Sequence, residues 1–145
     1  MTTAKRIKDI LISYIADNRP SDDISVIDAN QRTLATLPAI AVAVPSVEAH
    51  SEALFNVERA SVELTLRIHA GDDDDSVDLD SWTDQIESLL NDPSAIVALS
   101  DAATLKIFHW TYNGATQDFS DAALDTVFRA ECLCTRLPQP AEWEA

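Results

Sequence analysis

At 145 residues, with 46% apolar and 24% charged, the chain is long enough for one globular domain and too apolar to be disordered. Its formal charge of -15 is uneven: residues 1–36 hold five basic and five acidic groups and sum to zero, while the rest holds five basic and twenty acidic groups (5 − 20 = −15). Such a surface repels phosphate backbones and anionic lipid, which disfavours specific nucleic-acid binding and membrane adhesion, although DNA can pass close by without being gripped.

In chain order, Ile7, Ile10, Leu11, Tyr14 and Ile15 recur at helical spacing, with Thr3 as N-cap and Asn18-Arg19-Pro20 as stop, so a first helix is predicted over Thr3 to Asp17. Ile24 to Ile27 reads as a short strand followed by a polar turn. Leu37 to Pro45 is apolar on both faces and bounded by prolines, which suits a strand covered on both sides, either within the fold or by a neighbouring subunit. Ser46 to Asn56 has no clear period and reads as a long connection with a short helical turn around Glu52–Phe55.

The cleanest half-buried strand follows: Val62, Leu64, Leu66 and Ile68 point one way, and Ser61, Glu63, Thr65 and Arg67 the other. It breaks at Gly71 and resumes, after Asp72, Asp73, Asp74 and Asp75, as a second helix with Leu79, Trp82, Ile86, Leu89 and Leu90 on one face, ending near Asn91-Asp92-Pro93. Leu105–Tyr112 and Leu124–Leu137 are the last two strands, with Gly114 in the loop between them. On the final strand Phe128, Ala130, Cys132 and Cys134 are apolar, while Arg129, Glu131 and Thr135 face away. Residues 1–137 thus form one α+β domain, with a mixed, mostly antiparallel central sheet and two main helices packed on it; 138–145 is an extended C-terminal tail.

No run of residues assembles an obvious reaction centre. The aspartates at 72–75 invite a calcium reading, but an EF-hand frame starting at Asp74 finds Leu79 where glycine belongs and Gln85 where glutamate belongs. Acid at a helix start is instead explained by the positive helix end. His50, His69 and His109 lie far apart, no G-x-S-x-G elbow is present, and Gly71 and Gly114 are the only glycines, so no phosphate-cradling loop is available. Phe108, Trp110 and Tyr112 share one strand face and offer stacking platforms, yet beside so acidic a surface they read better as core or subunit interface. Cys132 and Cys134 share a face about 7 Å apart, which is neither zinc nor redox spacing and fits buried free thiols of a reducing compartment.

Lys5, Arg6 and Lys8 ahead of Ile10-Leu11-Ile12 look like the start of a secretion signal, but Asp9 interrupts them and no small-residue cleavage site follows. No apolar run approaches the ~20 residues of a membrane span, so the chain is expected to be soluble, without a membrane partner, and intracellular when made.

The order of helix, two strands, the Leu37-Pro38-Ala39-Ile40 strand, the long Val62-x-Leu64-x-Leu66-x-Ile68 strand, an acidic turn into a helix ending in Leu89-Leu90, and two strands, the last with Phe128-Arg129-Ala130, resembles the tail terminator (tail-completion) and small neck proteins of long-tailed bacteriophages. The resemblance covers nearly the whole chain and rests on pattern and length. It implies a virion protein, made in the host cytoplasm, that assembles as a hexameric homo-oligomer, caps the tail tube protein and receives the neck/connector protein, with neither catalysis nor cofactor. Glu48, Glu52 and Asp72 to Asp75 would supply acid for a bore or outer surface. Lys5, Arg6 and Lys8, with Leu137 and the tail residue Trp143, would serve subunit or partner contacts; a solvated helix end and a frayed terminus are the plainer alternatives. Two other readings stay open: another neck, head-completion or baseplate part, and an acidic DNA-mimic inhibitor, favoured by nine acids and no base between Gly71 and Asp92.

Overall fold

A computed structural model describes residues 2–30, 38–49, 57–69, 73–100, 105–119 and 123–136. Its elements are α1 (Thr3–Asn18), β1 (Ser25–Asp28), β2 (Ala39–Ala49), β3 (Val57–His69), α2 (Asp73–Leu90), α3 (Pro93–Ser100), β4 (Leu105–Phe119) and β5 (Ala123–Arg136). The strands form one five-stranded mixed sheet, β1-β2-β3-β5-β4. β1 runs parallel to β2 and every other pairing is antiparallel. The class is α+β, with three helices where the sequence predicts two.

Helix α1 is capped by Thr2 rather than Thr3: the Lys5 amide donates to Thr2 Oγ1 at 3.1 Å. Thr3 has another task, donating its hydroxyl to Glu58 Oε1 at 2.7 Å and tying the helix start to β3. Ile7, Leu11, Tyr14 and Ile15 are buried as their spacing predicts. They meet the face of the sheet built by Ile40 and Val42 of β2, Val62, Leu64, Leu66 and Ile68 of β3, and Phe128 and Ala130 of β5. Register makes that face continuous, since Leu64 lies between Val42 and Phe128 and Val62 opposite Ala130. All four inward β3 side chains are at most 1% exposed. Each such side chain contributes ~1.5–3 kcal/mol relative to leaving it in water.

Three departures from the sequence reading have local causes. Pro45 does not end β2. A shift of register between Ala43 and Ser46 forms a bulge there, which accommodates a residue with no N–H to give to a ladder, and the strand runs on to Ala49. The helical turn expected at Glu52–Phe55 lies outside the described residues. Asn91-Asp92-Pro93 ends α2 and also starts α3: Asp92 Oδ1 accepts from the Ala95 amide at 3.3 Å, and Pro93 takes the first helical position, where a missing N–H is harmless. Helix α3 buries Ile96 and presents Ser100, whose Oγ accepts the Ile107 amide at 3.0 Å and so sets the start of β4.

The third departure is β4, which continues well past Tyr112. Gly114 lies inside the strand at a second bulge, between Tyr112 and Gly114, with φ of 108°, a conformation only glycine adopts without strain. The other bulge, between Ile107 and His109, breaks the expected aromatic face: Trp110 is 4% exposed and Phe108 46%. Trp110 turns inward and donates Nε1–H to the Leu90 carbonyl at 2.7 Å, closing the end of α2.

Candidate interaction surfaces

Buried side chains from the helices and from one face of the sheet share a single core cluster, and the residues that chemistry can use lie in three places. The first is the basic start of α1. Lys5 pairs with Asp9 one turn on at 2.8 Å, and that hydrogen bond raises its pKa. Lys8 reaches Asp28 of β1 at 3.0 Å, with both side chains mostly covered (14% and 16% exposed). The Asn30 amide, then Lys8, hold the Asp28 carboxyl below its usual range. Arg6 is half-buried. Lys5 and Lys8, two of the cations expected to meet a neighbour, are thus paired within the chain.

The acid forms a second region. Helix α2 begins at Asp73, and its eighteen residues carry seven acidic groups (Asp73, Asp74, Asp75, Asp78, Asp80, Asp84, Glu87) and no lysine or arginine. Glu48 is elsewhere, exposed on β2 beyond the bulge and in register with Arg59. Glu52, Asp72, Leu137 and Trp143 lie outside the described residues. Of the expected acidic residues, Glu48 and Asp73 to Asp75 fall among the described residues, on β2 and at the start of α2 respectively.

The third region is the sheet face turned away from the helices, and only strand register makes it visible. Arg67 and Asp125 stand opposite each other and form a two-pronged pair, Nε to Oδ1 and Nη2 to Oδ2, each 2.7 Å. This bonding raises the Arg67 pKa. Arg129 bridges Glu63 on β3 (3.3 Å) and Thr116 on β4 (3.0 Å). Toward β1 the side chains become short, and a recess of about 260 Å³ opens, with Ile27, Ala41, Ala43 and Val127 on its apolar side and Glu63, Arg67 and Asp125 on its charged side. The sequence signal was the outward set of β3 together with the two-sided apolar pattern of β2; the ion pairs depend on β5 register, which sequence spacing does not give.

Charge separates this face from the rest. Register places Arg59, Arg67, Lys106 and Arg129 on it with Glu48, Glu63, Asp118, Asp125 and Glu131, so it sums to 4 − 5 = −1, leaving −15 − (−1) = −14 for the remainder of the chain. Cys132 and Cys134 are free, buried and on the opposite, helix-covered face. The neighbouring Cys134 thiol, then burial, push the Cys132 thiol up, so it packs as an apolar group. Among the described residues no three His, Cys, Asp or Glu side chains come together to hold a metal, and no helix is long and apolar enough to cross a membrane. No protein-family model matches the chain, and no curated protein matches it.

Proposed function

We propose that this chain is a structural virion protein of a long-tailed phage, forming a hexameric ring that terminates the tail tube and joins it to the head–neck connector. The observation that carries the reading is the order of elements. A leading helix, a parallel strand pair, a long two-sided strand, two successive helices of which the first starts in aspartates, and a final antiparallel pair follow one another along the chain, and all five strands share one mixed sheet. The charge supports it: a ring that lets DNA through benefits from walls that do not bind phosphates, and acid outnumbers base across most of this chain. The ring acts by shape and contact, without a cofactor and without chemistry. Within it, Pro138 to Ala145 would contribute Trp143 as an anchor on an adjoining surface.

The test is to mix purified protein with tail tubes and, separately, with the connector. Rings seated on tube ends support the reading, and binding to the connector or baseplate alone moves the protein to another part of the virion. An acidic DNA mimic, the reading from a different class, is favoured by the base-free acid between Gly71 and Asp92. Such a protein would stay monomeric or dimeric and inhibit a nucleic-acid enzyme at stoichiometric concentration. Deleting Pro138 to Ala145 should leave the melting of the domain unchanged while weakening ring formation; normal assembly by the truncated chain would remove the tail from the account.

A further inference from the structure

We infer that copies of this chain join edge to edge, β4 of one copy running beside the β1–β2 edge of the next, so that one sheet continues from subunit to subunit. The pairing rests on the ring reading and names the surfaces that meet in it. The sheet has β4 at one margin and, at the other, β1 with the Ala43–Ala49 part of β2. Among the described residues β5 is the only strand partner of β4, which is fifteen residues long. A long edge strand presents a row of backbone N–H and C=O groups, and proteins usually guard it with charges or proline. From Phe108 to Gln117, β4 has no acidic residue, lysine, arginine or proline. The two large apolar side chains that stand exposed among the described residues also lie here, Phe108 (46%) on β4 and Leu99 (38%) on α3. Each is next to a member of the Ser100–Ile107 hydrogen bond that ties α3 to β4.

Charge selects a second copy as the occupant, and outline selects the edge it brings. In a chain with 25 acidic residues, the two longest stretches without one lie between Asp28 and Glu48 and between Asp101 and Asp118. The first contains most of β2 and the second most of β4, and each holds a single basic residue, Arg32 and Lys106. Two copies of -15 repel wherever acid meets acid, as α2 against α2 would, so these margins are where they approach with least repulsion. The margins also match in outline. β1 pairs with β2 only from Ala39 to Val42, so beyond Val42 that edge steps back by one strand spacing, ~4.8 Å. On the opposite margin β4 bulges between Tyr112 and Gly114. The rows Val42–Leu64–Phe128–Ala115 and Ser46–Ser61–Glu131–Thr111 bracket both the step and the bulge. A copy rotated about an axis along the strands keeps its rows level, which sets its step against the bulge and its Ser46 beside Thr111. Because β1 and β2 run opposite to β4, the new pairing is antiparallel. Two different edges meet, which is the heterologous kind of contact that builds rings.

The test is cross-linking of the full chain, over a concentration series and on tail tubes, at ~0.15 M salt, where the ~8 Å Debye length screens long-range repulsion. Ser46 and Thr111 are exposed, and the native thiols Cys132 and Cys134 are buried. The double variant Ser46→Cys/Thr111→Cys is treated with a bis-maleimide too short to span the three strand spacings, ~14 Å, between these positions in one copy. It is expected to give a ladder of covalent oligomers, and each single variant to stay monomeric, because a heterologous contact never brings two copies of one position together. Adding Phe108→Glu should leave melting unchanged and weaken the ladder about tenfold. Dimers from either single variant, a double variant without cross-links at every concentration and on tubes, or a folded Phe108→Glu protein with an undiminished ladder would overturn the proposal. The ring reading fails separately. Rings seated on tube ends without a cross-link between positions 46 and 111 overturn the pairing alone, whereas a ladder from protein that leaves tube ends bare supports the pairing and removes the tail role.

Discussion

The two faces of the sheet are made by alternate residues of the same strands and have opposite physics. On the helix side Leu64, Leu66, Phe128 and Ile40 are at most 1% exposed and hold the domain together. One residue along in each strand, Thr65, Arg67, Val127 and Ala41 stand outside the core, joined by ion pairs and short side chains. Strand period two puts core side chains on one side of a segment and surface side chains on the other, so adjacent residues should differ sharply in what a substitution costs.

The largest contrast is expected between adjacent positions of β3. Leu66→Asp places an unpaired carboxylate in the core, costs several kcal/mol and should abolish cooperative thermal melting, whereas Thr65→Asp should melt within about 1 kcal/mol of wild type. A folded Leu66→Asp would show the two faces to be less distinct than described. Next in size is Ser100→Ala, which strips the buried Ile107 amide of its acceptor; urea denaturation should show a loss of about 1–3 kcal/mol.

That second prediction marks where the sequence stopped being readable. The alternation of Val62 to Ile68 and the i, i+3, i+4 stripe of α1 are local patterns, and the structure keeps both. The start of α3 was also local, in Asp92 and Pro93, but the same residues serve equally well as a stop, and only packing of Ile96 decides. Bulges are different in kind. Pro45 and Gly114 look like strand ends because a regular ladder excludes them, and a slip of register that absorbs them depends on the partner strand. The Arg67–Asp125 and Arg129–Glu63 pairs are separated by 58 and 66 residues, so no spacing rule reaches them. The basic cluster at Lys5, Arg6 and Lys8 was legible as charge, while its neutralisation by Asp9 and Asp28 was legible only in part: Asp9 lies one turn away, and Asp28 needs the fold.

Alkaline titration sharpens the contrast from the helix side. Burial, with the Glu87 charge adding to it, pushes the Tyr112 hydroxyl from 10.0 to about 12, and burial raises Tyr14 as well. With the folded value above the unfolded one, the unfolded chain loses these protons first, so stability present below pH 10 is lost as pH rises toward about 12. Phenolate absorbance should appear late in the folded protein, and Tyr112→Phe should flatten the fall in melting temperature over that window. A smaller effect is expected on the open side: Arg67→Gln removes an exposed pair and should cost below about 1 kcal/mol in folding. Smallest of all, calcium, zinc or chelator should leave the melting temperature unchanged, since stabilisation requires a site selective for the folded state. A rise of several degrees with submillimolar calcium would return the aspartates at 72–75 to consideration.

The central proposal is that the protein works as a ring at the end of a tail tube, and electron microscopy of tubes assembled with and without it tests this most directly. Tubes assembled with the protein should end in a six-fold ring and have uniform length, and those assembled without it should have open ends and varied lengths. Bare tube ends in the presence of excess folded protein, with length unaffected, would contradict the account.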